Sequence, residues 1–312
     1  MPETSAYKAA GVDIDAATRA KELIKPLARS TARPEVIGGI GFLGGFFRMP
    51  AGYKEPVLVS STDSVGTKVN LAIQMHRLDT VGIDIVNHCI NDIFVGGAEP
   101  MFFLDYIGLG RLVPEDVEDI VRGLAKACKA GNVALVGGET AQLPSLYKPG
   151  DFDLVGFIVG VVERELIIDG SKVREGDMLL GLPSSGLHTN GYSLARQVFR
   201  TDEDPEALER VWPELGRTLG EALLEPHRAY FPLLKPALPY LKGVAHITGG
   251  GFLENIPRVL PEALRCRIRR DSWQVPSLFK LVQRLGSIQR CFRKAVSGAS
   301  HDDSRHYAGA RR

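Results

Sequence analysis

The sequence predicts a mixed α/β fold in two domains, and three observations carry that expectation. The chain has 312 residues, enough for two units. Short apolar runs of strand length alternate irregularly with segments of helical period, which suits a mixed sheet better than a regular doubly wound one. Around residues 163–176 the composition turns polar, and a new apolar run then begins. The expected units are 1–170, an N-terminal domain, and 171–288, a second α/β domain, followed by a basic tail, 289–312.

In chain order, residues 16–27 read as a helix, followed by the glycine-rich Gly38-Gly39-Ile40-Gly41-Phe42-Leu43-Gly44-Gly45. The β-branched run Val57-Leu58-Val59-Ser60 predicts a strand with Asp63 at its mouth and a loop carrying Gly66, Thr67 and Lys68 beyond. Ile83, Val86, Ile90 and Phe94 recur at helical steps, so Asn91 and Asp92 lie on a helix. Residues 101–109 read as a strand. Pro114, Glu115 and Asp116 open the next helix and Gly131 lies just past its end. Val133-Ala134-Leu135-Val136 is a short strand ending in Gly137-Gly138-Glu139, and residues 152–162 form another strand. Met178-Leu179-Leu180-Gly181-Leu182 should be the first strand of the second unit, leading into a loop from Ser184 to Gly191 and a helix over 192–199. Thr248-Gly249-Gly250-Gly251 precedes a helix over 252–260, with Pro257 near a kink.

Composition excludes several classes of function. Apolar content of 44% and charged content of 24% are those of an ordinary globular chain. No leader pattern and no apolar run of about 18 residues is seen, so a cytoplasmic protein without a membrane partner is expected. Cys89, Cys128, Cys266 and Cys291 show no C-x-x-C spacing, against a zinc or redox site. The tail holds six Lys/Arg and two Asp, which leaves 32 basic and 35 acidic residues before it. Six charges without interleaved stacking aromatics are a weak case for nucleic acid, and none is expected as a partner.

The chemistry concentrates where strands give way to loops. Separated carboxylates with a lysine and glycines suggest Mg²⁺ and phosphate, since a hard divalent ion takes oxygen ligands and glycine lets backbone N–H groups approach. Asp63 and Lys68 are the first candidates, because an acid at a strand end followed by Gly66 and Lys68 serves no folding need. Asp92 on its helix reads equally as a ligand or as a solvated acid, and Glu139 behind two glycines reads better. Gly39-Ile40-Gly41-Phe42-Leu43-Gly44 matches G-x-G-x-x-G, but Pro34 before it and Pro50 after it remove the strand and helix that a dinucleotide fold requires. A phosphate-covering flap through Gly39, Gly41 and Gly44 is the better reading, beside a plain surface loop. His188 sits in a loop too small and polar to bury it, which points to proton transfer or to a histidine bonded to its own turn. Gly249, Gly250 and Gly251 before a helix form an anion cradle.

Together these segments resemble the phosphoribosylformylglycinamidine cyclo-ligase (AIR synthetase) family. The resemblance rests on Tyr7 to Asp15, Gly38 to Gly45, Thr62 to Lys68, Phe103-Leu104-Asp105-Tyr106, Val136 to Thr140, Ile168 to Val173, Ser184 to Ser193 and His246 to Leu260, in order, over about residues 7–288. It implies a homodimer whose N-terminal sheets close into a shared barrel, and an ATP-dependent closure of formylglycinamidine ribonucleotide to aminoimidazole ribonucleotide in purine biosynthesis. It also implies roles: Asp63, Asp92 and Glu139 on Mg²⁺; Lys68, with Gly66, Thr67 and Gly138, on the ATP phosphates; His188 and Asn190 on the proton or formyl oxygen; Ser184, Ser185 and Gly249 to Gly251 on the substrate 5′-phosphate. Within the wider superfamily, selenophosphate synthetase is disfavoured by the absence of cysteine near the N-terminal glycines, and thiamine-monophosphate kinase by the match after residue 168.

Two departures stand out. Ser64 replaces the family's usual glycine, and after Ile288 the family pattern stops, as though the reading frame had changed. The tail should then be disordered, or only locally helical near Arg290 to Val296, the second domain incomplete with an exposed apolar edge, and activity low or nil. The alternative reading is an inactive truncated homologue that keeps the dimeric ATP-binding domain.

Overall fold

The computed structural model describes residues 11–38, 44–269 and 271–287. Gly39 and Gly41 of the expected flap, the four residues that open the Tyr7 motif, and the whole tail with its expected disorder lie outside them.

The first unit is a four-stranded mixed sheet in the order β3 (Pro56–Ser64), β6 (Phe152–Glu163), β4 (Glu99–Leu109), β5 (Ala134–Gln142). Only β4 and β5 run parallel. Before this sheet come α1 (Ile14–Arg29), whose N-cap Asp13 accepts a hydrogen bond from the Ala16 amide, and a short pair, β1 (Val36–Ile37) with β2 (Phe46–Phe47). One sheet face is covered by α3 (Leu78–Phe94) and α4 (Pro114–Ala130), with α1 packed behind α4. Ile85, Phe103, Ile107, Ile120, Leu124, Leu154 and Ile158 fill this core. At the crossing of α3 and α4, a Cβ added to Gly82 would overlap Ile120 O and one on Gly123 would overlap Asp79 O, so two glycines let the helices approach to backbone contact.

Among the described residues, the opposite face stays open. Leu58 on β3 is 59% exposed and Phe157 on β6 is 43% exposed, with Val155, Val159, Leu104 and Tyr106 only partly buried beside them.

Two strand expectations need correction. β5 runs on through Gly137, Gly138 and Glu139, because the eleven-residue β4 offers it a longer edge to pair with; at Gly138 a Cβ would collide with the Asp105 carboxylate, so that glycine serves a close approach of strands. Met178 to Leu182 forms no strand: Met178 is 87% and Leu180 84% exposed, and no described residue pairs with this segment. An extended run without a neighbouring strand has no ladder to hold it.

The second unit is built mainly of short helices. α5 (Tyr192–Phe199) forms as read from the sequence. A two-residue hairpin, β7 (Val211–Trp212) with β8 (Arg217–Thr218), leads into α6 (Leu219–Leu223), whose N-cap Thr218 makes a capping box with Glu221. α7 (Phe231–Leu234), α8 (Gly251–Asn255) and α9 (Ser277–Leu285) follow. The helix expected over 252–260 is thus five residues of α8 plus a 3₁₀ turn at Ile256–Val259, since Pro257 cannot continue the α-helical ladder.

Candidate active site

Helix α3 organises the site. Its apolar side faces the sheet and α4, while Asp84, Asn87, His88, Asn91 and Asp92, spaced three and four apart, form one polar stripe. That stripe grips an extended strap, residues 225–230, of the second unit. Asp84 Oδ1 accepts from the His227 amide at 2.7 Å, Asn87 Nδ2 donates to His227 O at 2.7 Å, and Asn91 donates to Arg228 O at 2.8 Å while accepting from the Tyr230 amide at 3.0 Å. The backbone groups of a loop buried between two units are thereby satisfied.

Four histidines meet at this seam. The rings of His188 and His227 stack with centroids 4.0 Å apart, and His88 and His246 stand 5.1 and 5.3 Å from His227. His88 Nδ1 pairs with Thr189 Oγ1 at 2.7 Å; its Nε2 lies 2.9 Å from Asp63 Oδ2 and 3.5 Å from Asp92 Oδ2 but makes no well-directed hydrogen bond to either. His246 Nδ1 lies 2.8 Å from Asp92 Oδ1, and Ser61 donates to Asp92 Oδ2 at 3.2 Å. The contact with His88 holds the Asp63 carboxyl below its usual range. Burial works against the charged form of His88, but Asp63 and Asp92 outweigh it and its pKa is raised.

The sequence-based candidates divide. Asp63 and Asp92 converge on His88 Nε2, and their oxygens are of the kind that a hard divalent ion takes. Glu139 does not join them. The row Asp63, Gly156, Asp105, Gly138 crosses the sheet with side chains toward the helices, so Glu139, the next residue on β5, points from the open face on the opposite edge strand. Three strand spacings put it roughly 14 Å away, too far to share one ion with Asp63 in one chain. Asp105, midway in that row, is enclosed, and burial pushes its carboxyl up to about 7.

Lys68 is a second correction. It sits at the start of α2 (Lys68–Gln74) and is fully buried, with Nζ 2.7 Å from Asp84 Oδ2, 3.1 Å from His188 O and 2.9 Å from Glu225 O. An ammonium has three protons, and these partners take all of them, so none is left for a phosphate. His188 is a third: it is only 8% exposed, because its loop docks against α3 and the strap. Its Nε2 accepts from the Ser185 amide at 3.0 Å, the bond to its own turn. Burial, His246 and Lys68 lower its pKa to about 3, so the ring is neutral at pH 7.

Of the remaining candidates, Asn190 Oδ1 faces Gly249, bringing the 184–191 and 249–251 loops onto one wall. Ser185 Oγ donates to Pro226 O at 2.7 Å, Thr67 meets Ser193 at 3.2 Å, Gly66 takes a φ of +67°, and Ser184 and Gly44 remain accessible. Gly249 and Gly250 precede, and Gly251 opens, a helix of only five residues, and the Glu254 carboxylate folds over Gly250, so the expected anion cradle is weaker than its glycines suggest. The sequence reading missed Asp84, Asn87, His88, His227 and His246. The polar stripe on an otherwise apolar helix was the available signal for the first three.

Acid should loosen this seam. His188 and His227 have lowered pKa values, mainly through burial, so the stability they allow is complete above about pH 6.5 and is lost as pH falls from there toward their folded values. His88, with its raised pKa, has the opposite sign: its contribution is present below about pH 6.5 and is lost as pH rises through its folded value. With two groups against one, the protection factors of the 184–190 and 225–230 amides should fall between pH 7 and pH 5 more than those of the α4 amides. Unchanged protection would count against the ring environments described here.

Residues 49–162 match the AIR synthase related protein N-terminal domain and 174–292 the AIR synthase related protein C-terminal domain. The chain is 55% identical over 286 residues to a phosphoribosylformylglycinamidine cyclo-ligase of Desulfitobacterium hafniense, covering 91% of this chain and 83% of that one. A relative of the same name from Pseudothermotoga lettingae is 50% identical over 283 residues, with 90% and 83% covered. In structure the chain resembles thiamine-monophosphate kinase from Stenotrophomonas maltophilia, with a TM-score of 0.57, 19% identity, and 76% and 70% covered. AaThiL complexed with AMPPCP and TMP gives 0.55, 18%, and 75% and 70%.

Proposed function

This chain belongs to the phosphoribosylformylglycinamidine cyclo-ligase family of AIR synthase related proteins, and from that premise we propose that the seam between its two units is where ATP drives closure of formylglycinamidine ribonucleotide to aminoimidazole ribonucleotide. The observation that carries the proposal is one cluster at the seam: Asp63 and Asp92 of the first unit stand beside His88, His246 of the second unit stands on Asp92, and His88 stands beside the stacked His227 and His188. An amide oxygen is a poor leaving group; phosphorylation makes it a good one, and the amidine nitrogen of the same molecule then forms the ring C–N bond as phosphate leaves. Holding nucleophile and carbon together contributes up to several kcal/mol, and phosphoryl transfer depends mainly on positioning and charge neutralisation.

Asp63 and Asp92 would hold Mg²⁺, which would neutralise phosphate charge when bound. The AMPPCP complex of the structurally similar AaThiL supports a triphosphate in this fold. His246, held by Asp92, and Asn190, whose Oδ1 lies beside Gly249, are suited to orienting the formyl oxygen or accepting a proton. Ser184 and the backbone of Gly249 are the candidates for the substrate 5′-phosphate. The uncovered sheet face, with Leu58 and Phe157 exposed, supports a homodimer in which a second copy covers it. A cytoplasmic location follows from the activity, and among the described residues no helix is long and apolar enough to cross a membrane.

His188→Ala separates the two halves of the reaction. Ring closure should be lost while ATP binds within about threefold of the parent, less than 1 kcal/mol, because the ring stacks on His227 and shapes the second unit's loop. Calorimetric titration of ATP together with product formation from the authentic substrate checks this, and an equal loss of nucleotide affinity would make His188 part of the nucleotide site.

A further inference from the structure

We propose that the buried Lys68–Asp84 ion pair positions the site histidines, fixing the 184–190 loop and the 225–227 strap on α3 so that His188 and His227 stand in register with Asp63 and Asp92. The assignment rests on the ring-closure reading of the site and makes neither residue a ligand of substrate or ATP.

The bond inventory carries it. Lys68 Nζ contacts Asp84 at 2.7 Å and donates to two carbonyls, those of His188 and Glu225, one in each segment. Asp84 in turn accepts the amide of His227, so two side chains on adjacent helices of the first unit hold three backbone groups of the second around the stacked ring pair. Both side chains are 0% exposed. Such a pair is a poor way to gain stability, since an apolar pair of equal volume would hold α2 against α3 as well or better. An apolar pair could not fix the His188 and Glu225 carbonyls or the His227 amide, and that is what the ion pair adds. Its charge also reaches the ring: His188 is faced by His246, Lys68, Arg228 and His88, with His227 stacked on it, and Lys68 is one of the cations that keep it neutral.

The double variant Lys68→Met/Asp84→Leu, made in the full chain, removes both charges together, so that no charge is left unpaired, and frees the three backbone groups that the pair holds. It should fold, bind ATP within about twofold of the parent, and lose about 100-fold in kcat, the effect of misplaced groups. The His188 titration, followed by ¹⁵N NMR, should move up toward the ordinary imidazole range. If the double variant does not fold, Asp84→Asn keeps shape and the acceptor for His227 and should lose about tenfold in kcat at unchanged ATP affinity. Parent-like kcat in either folded variant would reduce the pair to packing. A tenfold or greater loss of ATP affinity would return Lys68 to the phosphates. Should the parent itself show no ring closure, the functional reading fails, and the His188 titration still decides whether the pair sets the ring's environment.

Discussion

Asp63→Asn should leave a folded protein whose ATP turnover is about a thousandfold slower, a loss of roughly 4 kcal/mol in transition-state stabilisation. Asp63 is the next-to-last residue of the edge strand β3, with its side chain 43% exposed, so little packing depends on it. Its charge is another matter. The neighbouring His88 keeps the carboxyl ionised well below neutrality, and asparagine keeps the shape while removing the charge that would meet Mg²⁺ and the polyphosphate. The change in stability should stay under about 1 kcal/mol, as for other partly exposed ion pairs. ADP release with the authentic substrate, beside a thermal melt, reads both effects. Parent-like turnover would remove Asp63 from the site.

Gly123→Ala should be strongly destabilising, costing about 3 kcal/mol and lowering the melting midpoint by roughly 6–12 °C. The added carbon meets the carbonyl of Asp79 on α3, and backbone cannot rotate away as a side chain could. α3 would have to lift from α4, and it carries His88, Asn91 and Asp92 with it. Gly96→Ala is the control, because a Cβ there finds Ile93 O at 3.6 Å, an ordinary contact. Equal melting points for the two variants would contradict the close crossing.

Much of this was legible in the sequence because the signals were local. The Pro114 start of α4, the helical spacing of α3, the strand run before Asp63 and the helix at Tyr192 each report short-range chemistry, and each appears where expected. What stayed hidden depended on partners far along the chain. Lys68 looks like a loop lysine until the carbonyls of His188 and Glu225, 120 and 157 residues away, claim its protons. His188 looks exposed until the strap stacks His227 on it. Glu139 looks like a strand-end acid because nothing local says that β5 pairs onward through its glycines, or that strand order puts β3 and β5 on opposite edges. Met178 to Leu182 has the composition of a strand and no neighbour to pair with.

That last segment has a mechanical consequence. Between the end of β6 and the 184–191 loop the two units are connected by an exposed peptide tether, and they are joined a second time, without covalent bonds, by the grip of α3 and Lys68 on residues 225–230. Scission of the tether near Leu180 would remove the link that keeps the halves at high effective concentration while leaving every hydrogen bond of the seam in place. The histidines and carboxylates are brought together by the hydrogen bonds of the seam, and the tether near Leu180 supplies none of them. It governs how readily the halves find each other, and the seam governs what they do once they have met.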